Sequence, residues 1–250
     1  GLGGRLDAVN ILSADCAVIT PIGLDHQEYL GNDREAIGGE KAGIIRHPTP
    51  VVLGPMPGEI IRIFETQARK WHAPVFRFGK EFSLSQTGTM EFTYHGREWT
   101  IPGLQTNLLG QHQMINAVNT LALLETAVED KFALSPGAIR TGLQQVRWRG
   151  RLEIIHQDPL IVLDGAHNPS GAQVVFDFLH SQIHDCPGRK LILVVGMMHD
   201  KNHQGFLRVL LPLVDHLILT QPRMERAAPV DVMKLAVDRD DLVPDLLPDS

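Results

Sequence analysis

A chain of 250 residues, 43% hydrophobic and 21% charged, is long enough for one large or two ordinary domains with real cores. A formal net charge of −6 argues against a nucleic-acid binder working by bulk electrostatics, though a local basic pocket for an anionic substrate is compatible with it. No apolar run approaches the roughly 20 residues that span a bilayer, no signal peptide is visible, and two distant cysteines make no disulfide framework, so a cytoplasmic protein without a membrane partner is expected.

Gly1–Asn10 reads as a glycine-rich loop carrying Arg5 and Asp7, its glycines serving either close ligand approach or a plain tight turn. The apolar run Ala17–Ile19 reads as a buried parallel strand ending at Thr20-Pro21, with Cys16 a packed thiol at its mouth. A polar loop competent to bind a metal follows, with Asp25, His26, Gln27 and Glu28 in a row. Arg34 to Ile44 has a helical pattern, with Asp33 as N-cap and Lys41 set among Gly38, Gly39, Ala42 and Gly43. Thr49–Leu53 is a second strand, and Gly58–Trp71 an amphipathic helix with Ile60, Ile61, Phe64 and Ala68 on one face. This alternation predicts a parallel, doubly wound sheet.

From Val75 to Ile101 short strands punctuated by Thr87-Gly88 and His95-Gly96 predict antiparallel hairpins appended to that sheet. Gln111–Glu129 reads as a long helix and Pro136–Gln144 as a shorter one, capped by Ser135. The basic, bendable stretch Arg147-Trp148-Arg149-Gly150-Arg151 then places a domain boundary at about Arg149, dividing the chain into 1–149 and 150–250. A second βα alternation follows. Its strands are expected near Leu152–His156, Leu160–Leu163, Leu191–Val195 and His216–Leu219, and its helices near Ser170–Ile183, Gln204–Leu211 and Val230–Val237. This reads as a small Rossmann-like domain. Because Gly1-Leu2-Gly3-Gly4-Arg5 begins mid-motif without a methionine, an internal fragment of a longer protein is expected.

The segments GLGGRLDAVN, TPIGLDHQEYLG, GEKAGI, NLLGQHQMINAVN, RWRGRLE and VLDGAHNPSGA, in that order, resemble the folylpolyglutamate synthase family, often bifunctional with dihydrofolate synthase. That family belongs to the Mur-ligase superfamily of ATP-dependent amide-forming enzymes. The resemblance runs from Gly1 to about Lys201, and the Asp-Gly-Ala-His-Asn-Pro form favours the folate branch over the peptidoglycan branch. It implies an α/β fold: the C-terminal part of a Mur-ligase-like central ATPase domain, mostly parallel with appended antiparallel strands, followed by a small Rossmann-like ligase domain truncated before its last elements. It implies ATP and Mg²⁺ as cofactors. The substrates would be L-glutamate and a folate or dihydropteroate, joined through an acyl phosphate by a monomer. The alternatives are another Mur-type ligase of peptidoglycan synthesis, or a non-catalytic nucleotide-binding remnant, since no GxxxxGK[ST] loop occurs in these residues.

The candidate residues combine their own chemistry with this resemblance. A lone His26 at a strand end is either a hydrogen-bonded structural residue or a ligand; the resemblance assigns it to Mg²⁺, as one ligand among several. Lys41 by itself reads as a surface lysine, and the resemblance makes it the residue that carries CO₂ as a carbamate. That change would turn a cation into an anion able to attract a metal, and it needs a neutral amine, which burial favours. Asn116 has mediocre propensity in mid-helix, and the resemblance places it on the nucleotide, at the adenine, where an amide both donates and accepts. Gln111 and Gln113 are explained equally well as a polar helix entry. The fork of Arg151 suits phosphate oxygens, and Asp164 at a strand end suits either a ribose or a helix cap. The resemblance gives both to ATP, with His167 near the phosphates. Leu6, Asp7 and Ala8 match pterin-side contacts, although Asp7 alone would also suit a turn cap. Asp200-Lys201 resembles a further motif near the nucleotide.

Overall fold

The computed structural model describes residues 3–24, 27–127, 134–184, 186 and 188–248, without the side chains of Gln27 and Glu28. The protein is α/β and divides into two compact units, Gly1–Arg149 and Gly150–Ser250.

The first unit begins with a 3-10 turn, Ala8–Ile11, then strand β1 (Ala17–Ile19), helices α1 (Gln27–Leu30) and α2 (Arg34–Ala42), strand β2 (Val51–Leu53), helix α3 (Gly58–Lys70) and strand β3 (Val75–Arg77). The three strands are parallel in the order β1-β2-β3, with Ala17 opposite Val51 and Val51 opposite Val75. All of β2 is buried, because its alternate residues feed two cores. Val51 and Leu53 pack with Ile37, Ile60 and Phe64 of α2 and α3; Val52 packs with Val118 and Leu121 on the other face. Asp33 caps α2 as expected, accepting from the Ala36 N–H at 2.7 Å. The helix stops at Ala42 rather than Ile44, with Gly43 as its cap.

One strand of the first unit differs from the sequence expectation. The stretch from Val75 was expected to start the antiparallel hairpins, yet β3 continues the parallel sheet, since α3 carries the chain back across it as a crossover helix. The antiparallel sheet consists of β4 (Ser83–Gln86), β5 (Glu91–His95) and β6 (Thr100–Gln105), and packs on α4 (His112–Ala127). α5 (Pro136–Gln145) follows, capped by Ser135.

In the second unit β7 (Glu153–Gln157) and β8 (Leu160–Leu163) pair with each other as an antiparallel hairpin rather than forming parallel members of a βα series. The two-residue link Asp158-Pro159 leaves no room for the crossover that parallel strands need. Then come α6 (Pro169–His184), β9 (Ile192–Val195), α7 (His203–Leu210), β10 (His216–Thr220), α8 (Val230–Lys234) and β11 (Asp245–Leu247). β9, β10 and β11 form a parallel sheet in the order β11-β10-β9. Leu207, Leu210, Leu217, Leu219 and Met233, all at most 1% exposed, centre its core.

Candidate functional site

The chain leaves β8 at Asp164 and runs through a short loop into α6. Both carboxylate oxygens of Asp164 are used by backbone: Oδ2 accepts from the Leu152 N–H at 2.8 Å and Oδ1 from the Ala166 N–H at 2.7 Å. The Gly165 N–H donates to the Gly150 carbonyl at 2.9 Å. These bonds staple residues 150–152 to the loop and hold Leu152 at a φ of 47°, a left-handed value a leucine rarely adopts unaided. They also lay Arg151 against Gly165, where a Cβ would meet Arg151 Nη1 at 2.5 Å. Arg151 donates from Nη1 to the Gly150 carbonyl at 3.1 Å and is otherwise exposed. His167 lies with Nδ1 3.0 Å from the Gly165 carbonyl, so that nitrogen carries the proton. The helix cap is Asn168, whose Oδ1 accepts from the Gly171 N–H at 2.8 Å; Asp164 does not cap the helix. Arg151, Asp164 and His167 therefore meet where a 16-residue helix begins, which with an outward guanidinium suits phosphate oxygens.

In the first unit Lys41 occupies the last turn of α2, half-buried. The glycines around it do not open space beside the lysine. Gly38 faces Ile60 and Ile63 across the α2–α3 contact, and Gly39 faces nothing within 4 Å. Gly43 is required because a Cβ there would meet Arg5 Cβ at 2.6 Å; one on Gly4 would meet the Ile44 nitrogen at 2.8 Å. Asn10 completes this contact, donating from Nδ2 to the carbonyls of Arg5 at 3.1 Å and Gly43 at 3.2 Å.

Asp7 caps the 3-10 turn, accepting from the Val9 N–H at 3.1 Å, and that bond holds its carboxyl below the usual carboxylate range. Leu6, at 77% exposed, stands beside exposed Ala8, Val9, Ile11 and Leu12 in one apolar stretch of surface. Asn116 is exposed on α4, and its Nδ2 donates to Gln113 Oε1 at 3.0 Å, which orients its carbonyl. One turn on, Asn119 is buried beneath Gly54 with neither amide atom hydrogen-bonded among the described residues. His26 lies outside the described residues, and no group of three His, Cys, Asp or Glu that could hold a metal occurs among the described ones. A cavity of about 440 Å³ in this unit is walled by the ion-paired Glu65, Arg77 and Glu81, and none of the candidate residues lines it.

At the exit of β9, Asp200 and Lys201 form an ion pair at 3.6 Å. Burial pushes the Asp200 carboxyl up, but its own backbone amide and the charges of Lys201, Arg226 and His199 outweigh this and hold it below the usual range. Arg226 was missed in the sequence. Its only signal there is a basic residue soon after a strand, which is too common to select.

Residues 2–124 match the model of the Mur ligase middle domain, and residues 150–244 that of the Mur ligase glutamate ligase domain. With this α/β fold, they place the chain in the Mur ligase superfamily. It is 34% identical over 248 residues to the dihydrofolate synthase/folylpolyglutamate synthase of Mycobacterium tuberculosis, covering 94% of this chain and 50% of that protein. The crystal structure of Mycobacterium tuberculosis folylpolyglutamate synthase complexed with ADP and AMPPCP matches with a TM-score of 0.86 at 33% identity, over 98% of this chain and 57% of that one. A bifunctional folylpolyglutamate synthase/dihydrofolate synthase with Mn, AMPPNP and L-glutamate bound matches with a TM-score of 0.80 at 34% identity, again over 98% and 57%. Within the Mur ligases the chain belongs to the folylpolyglutamate synthase/dihydrofolate synthase family. It spans about half the length of the curated relatives it matches.

Proposed function

We propose that the protein is an ATP-dependent ligase that joins L-glutamate to a folate, or to dihydropteroate. In this reading ATP phosphorylates the acceptor carboxylate to an acyl phosphate, the amine of glutamate attacks the acyl carbon, and the tetrahedral intermediate expels phosphate. Residues 1–149 act as part of the central ATP-binding domain and 150–250 as the ligase domain of a cytoplasmic monomer without nucleic-acid or membrane partners. Among the described residues no helix is long and apolar enough to cross a membrane.

The observation that carries the proposal is the Asp164 staple, which sets the Arg151 guanidinium at the start of α6. Arg151 directs its remaining N–H groups to phosphate oxygens. Asp164 keeps a second lone pair on each oxygen for a ribose hydroxyl. His167 stands by with a proton on Nδ1. Asn116 offers its carbonyl to the adenine amino group, and the surface at Leu6, Asp7 and Ala8 takes the pterin side of the substrate.

Mg²⁺ belongs to this reading through the ATP it accompanies, with His26 and a carbamylated Lys41 as the residues assigned to its side of the site. The described residues do not by themselves make a cation site, and an unmodified Lys41 repels one, so no step is routed through the ion. The chain's own contribution is positioning and charge neutralisation.

The test is phosphate release by the full-length protein. Release that requires ATP, L-glutamate and either dihydropteroate or a reduced folate is expected. Release that is indifferent to L-glutamate would overturn the assignment.

A further inference from the structure

The loops leaving β9 and β10 are clasped together. A Cβ on Gly196 would meet the Thr220 carbonyl at 2.7 Å and Pro222 Cδ at 2.8 Å, so the two exits touch backbone to backbone. Further along, the His199 N–H donates to the Arg226 carbonyl at 2.9 Å, and the Ala228 N–H to the Met197 carbonyl at 2.8 Å. Met198 and Ala227 form an antiparallel bridge between these bonds. His199 adds a side-chain bond, with Nδ1 3.1 Å from the same Arg226 carbonyl, and His203 secures the loop from below, with Nε2 2.9 Å from the Met198 carbonyl.

This clip fixes the backbone of Arg226 beside Asp200 at the carboxyl ends of two parallel strands, where open α/β sheets bind ligands. Asp200 is engaged by Lys201 at 3.6 Å. The exposed Arg226 side chain acts on Asp200 through its charge and makes no hydrogen bond among the described residues. A cation whose main-chain carbonyl is held twice by His199 while its guanidinium keeps all its N–H donors is arranged to receive an anion.

We infer that Arg226 is a specificity-determining residue that holds a carboxylate of the incoming amino acid. The inference rests on the ligase reading above. The phosphate-suited place in this unit is the start of α6, beside Arg151. At the clip, by contrast, Asn202 already takes the Gly205 N–H of α7 at 2.8 Å. What Arg226 offers is a planar fork of donors, which matches a carboxylate bidentately. An amino acid with two carboxylates has one to spare for such a fork.

Steady-state kinetics of the full-length protein test this. Arg226→Ala should raise KM for L-glutamate about 10- to 100-fold, the loss of a charge-assisted contact, while KM for ATP stays within about twofold. Arg226→Lys should fall between the two, since it keeps the charge but loses the fork. It also carries the test if the alanine variant fails to fold. An unchanged KM for L-glutamate in a folded variant, or an equal rise in KM for ATP, overturns the inference. A wild type that turns over glutamate normally alongside unaffected variants defeats this inference alone. A wild type indifferent to glutamate defeats the ligase reading and this inference with it.

Discussion

Replacing Glu125 on α4 by alanine should destabilise the first unit more than any other change to a charged residue there. Its carboxylate is 4% exposed and accepts four hydrogen bonds: from Tyr94 Oη at 2.7 Å and from the backbone N–H groups of Arg97 at 3.2 Å, Glu98 at 2.7 Å and Trp99 at 2.7 Å. It thus pins the β5–β6 turn to the helix. Burial, with the Glu125 charge behind it, pushes the Tyr94 phenol far above its ordinary range, so this partner stays a donor. Hydrogen bonds to a charged group contribute about 1.5–3 kcal/mol each, but not all four are lost outright. Arg97 and Glu98 are exposed, and water recovers their N–H groups. Tyr94 is fully buried and Trp99 half-buried, and they recover little. Breaking the buried pairings should therefore cost about 3–5 kcal/mol, a large part of a typical domain's stability.

Glu125→Gln separates charge from volume. All four partners are donors, and a carboxylate is acceptor-only, whereas the glutamine amide turns two N–H groups toward them. Tyr94 alone can rotate to accept, so the variant should still lose about 2–3 kcal/mol through the opposed backbone donor. Urea unfolding followed by circular dichroism gives the free energies, and amide hydrogen exchange at Glu98 and Trp99 reports the turn itself. A loss under about 1 kcal/mol for Glu125→Ala, with both amides still protected, would refute the account.

Three further outcomes are expected. Burial pushes the Cys16 thiol up to about 11, outweighing an opposing backbone hydrogen bond at Ala17, so thiol reagents at pH 8 should label exposed Cys186 and spare Cys16. Because the folded state holds that proton more tightly, the contribution is intact below the ordinary value of 9.0 and lost as pH rises toward about 11; equal labelling of both cysteines at pH 8 would contradict it. Arg151→Ala in the full-length protein should raise KM for ATP by one to two decades, about 1.5–3 kcal/mol, with KM for the folate substrate little changed; equal effects would move Arg151 off the nucleotide. Lys41→Ala should cost orders of magnitude in turnover, partly restored by short carboxylates, and high-resolution density on the wild type should extend beyond Nζ; an active alanine variant would remove the carbamate.

Elements with local signals were legible in the sequence. Asp33 and Ser135 cap the helices expected of them, and α3 buries Ile60, Phe64 and Ala68 from one face. What depended on a distant partner was not. β3 has only three residues, none of which announces that β2 lies alongside in parallel. The β7–β8 hairpin turned on the two-residue link Asp158-Pro159, while β11 is enclosed by Pro244 and Pro248, residues that punctuate loops. Motifs led to the Asp164 loop, but the Leu152 bond that gives the loop its shape joins residues that flank the two strands of a hairpin. Glu125 was not singled out in the sequence, since nothing local shows that a turn 26–28 residues earlier aims its donors at that point.

The glycines near the candidate cations share a consequence. Gly43 meets Arg5, Gly165 meets Arg151, and Gly196 meets Thr220 and Pro222, each at a separation where a Cβ would not fit. At Gly43 and Gly196 a loop is located by backbone contact, and at Gly165 the missing Cβ leaves room for the Arg151 guanidinium, so the neighbouring cation need not use its own charge to hold its place. Arg151 spends one N–H on a carbonyl, and Arg226 is tied through its carbonyl alone. Had these side chains been anchored through ion pairs, as Arg77 is by Glu65 and Glu81, their charge would be neutralised before any substrate arrived. Anchoring by backbone keeps the donors unspent and already oriented, which lowers the reorganisation needed when an anion binds. The same construction makes each place sensitive to small substitutions at glycine: a methyl group on Gly43 or Gly196 displaces a loop, and one on Gly165 displaces the Arg151 guanidinium itself.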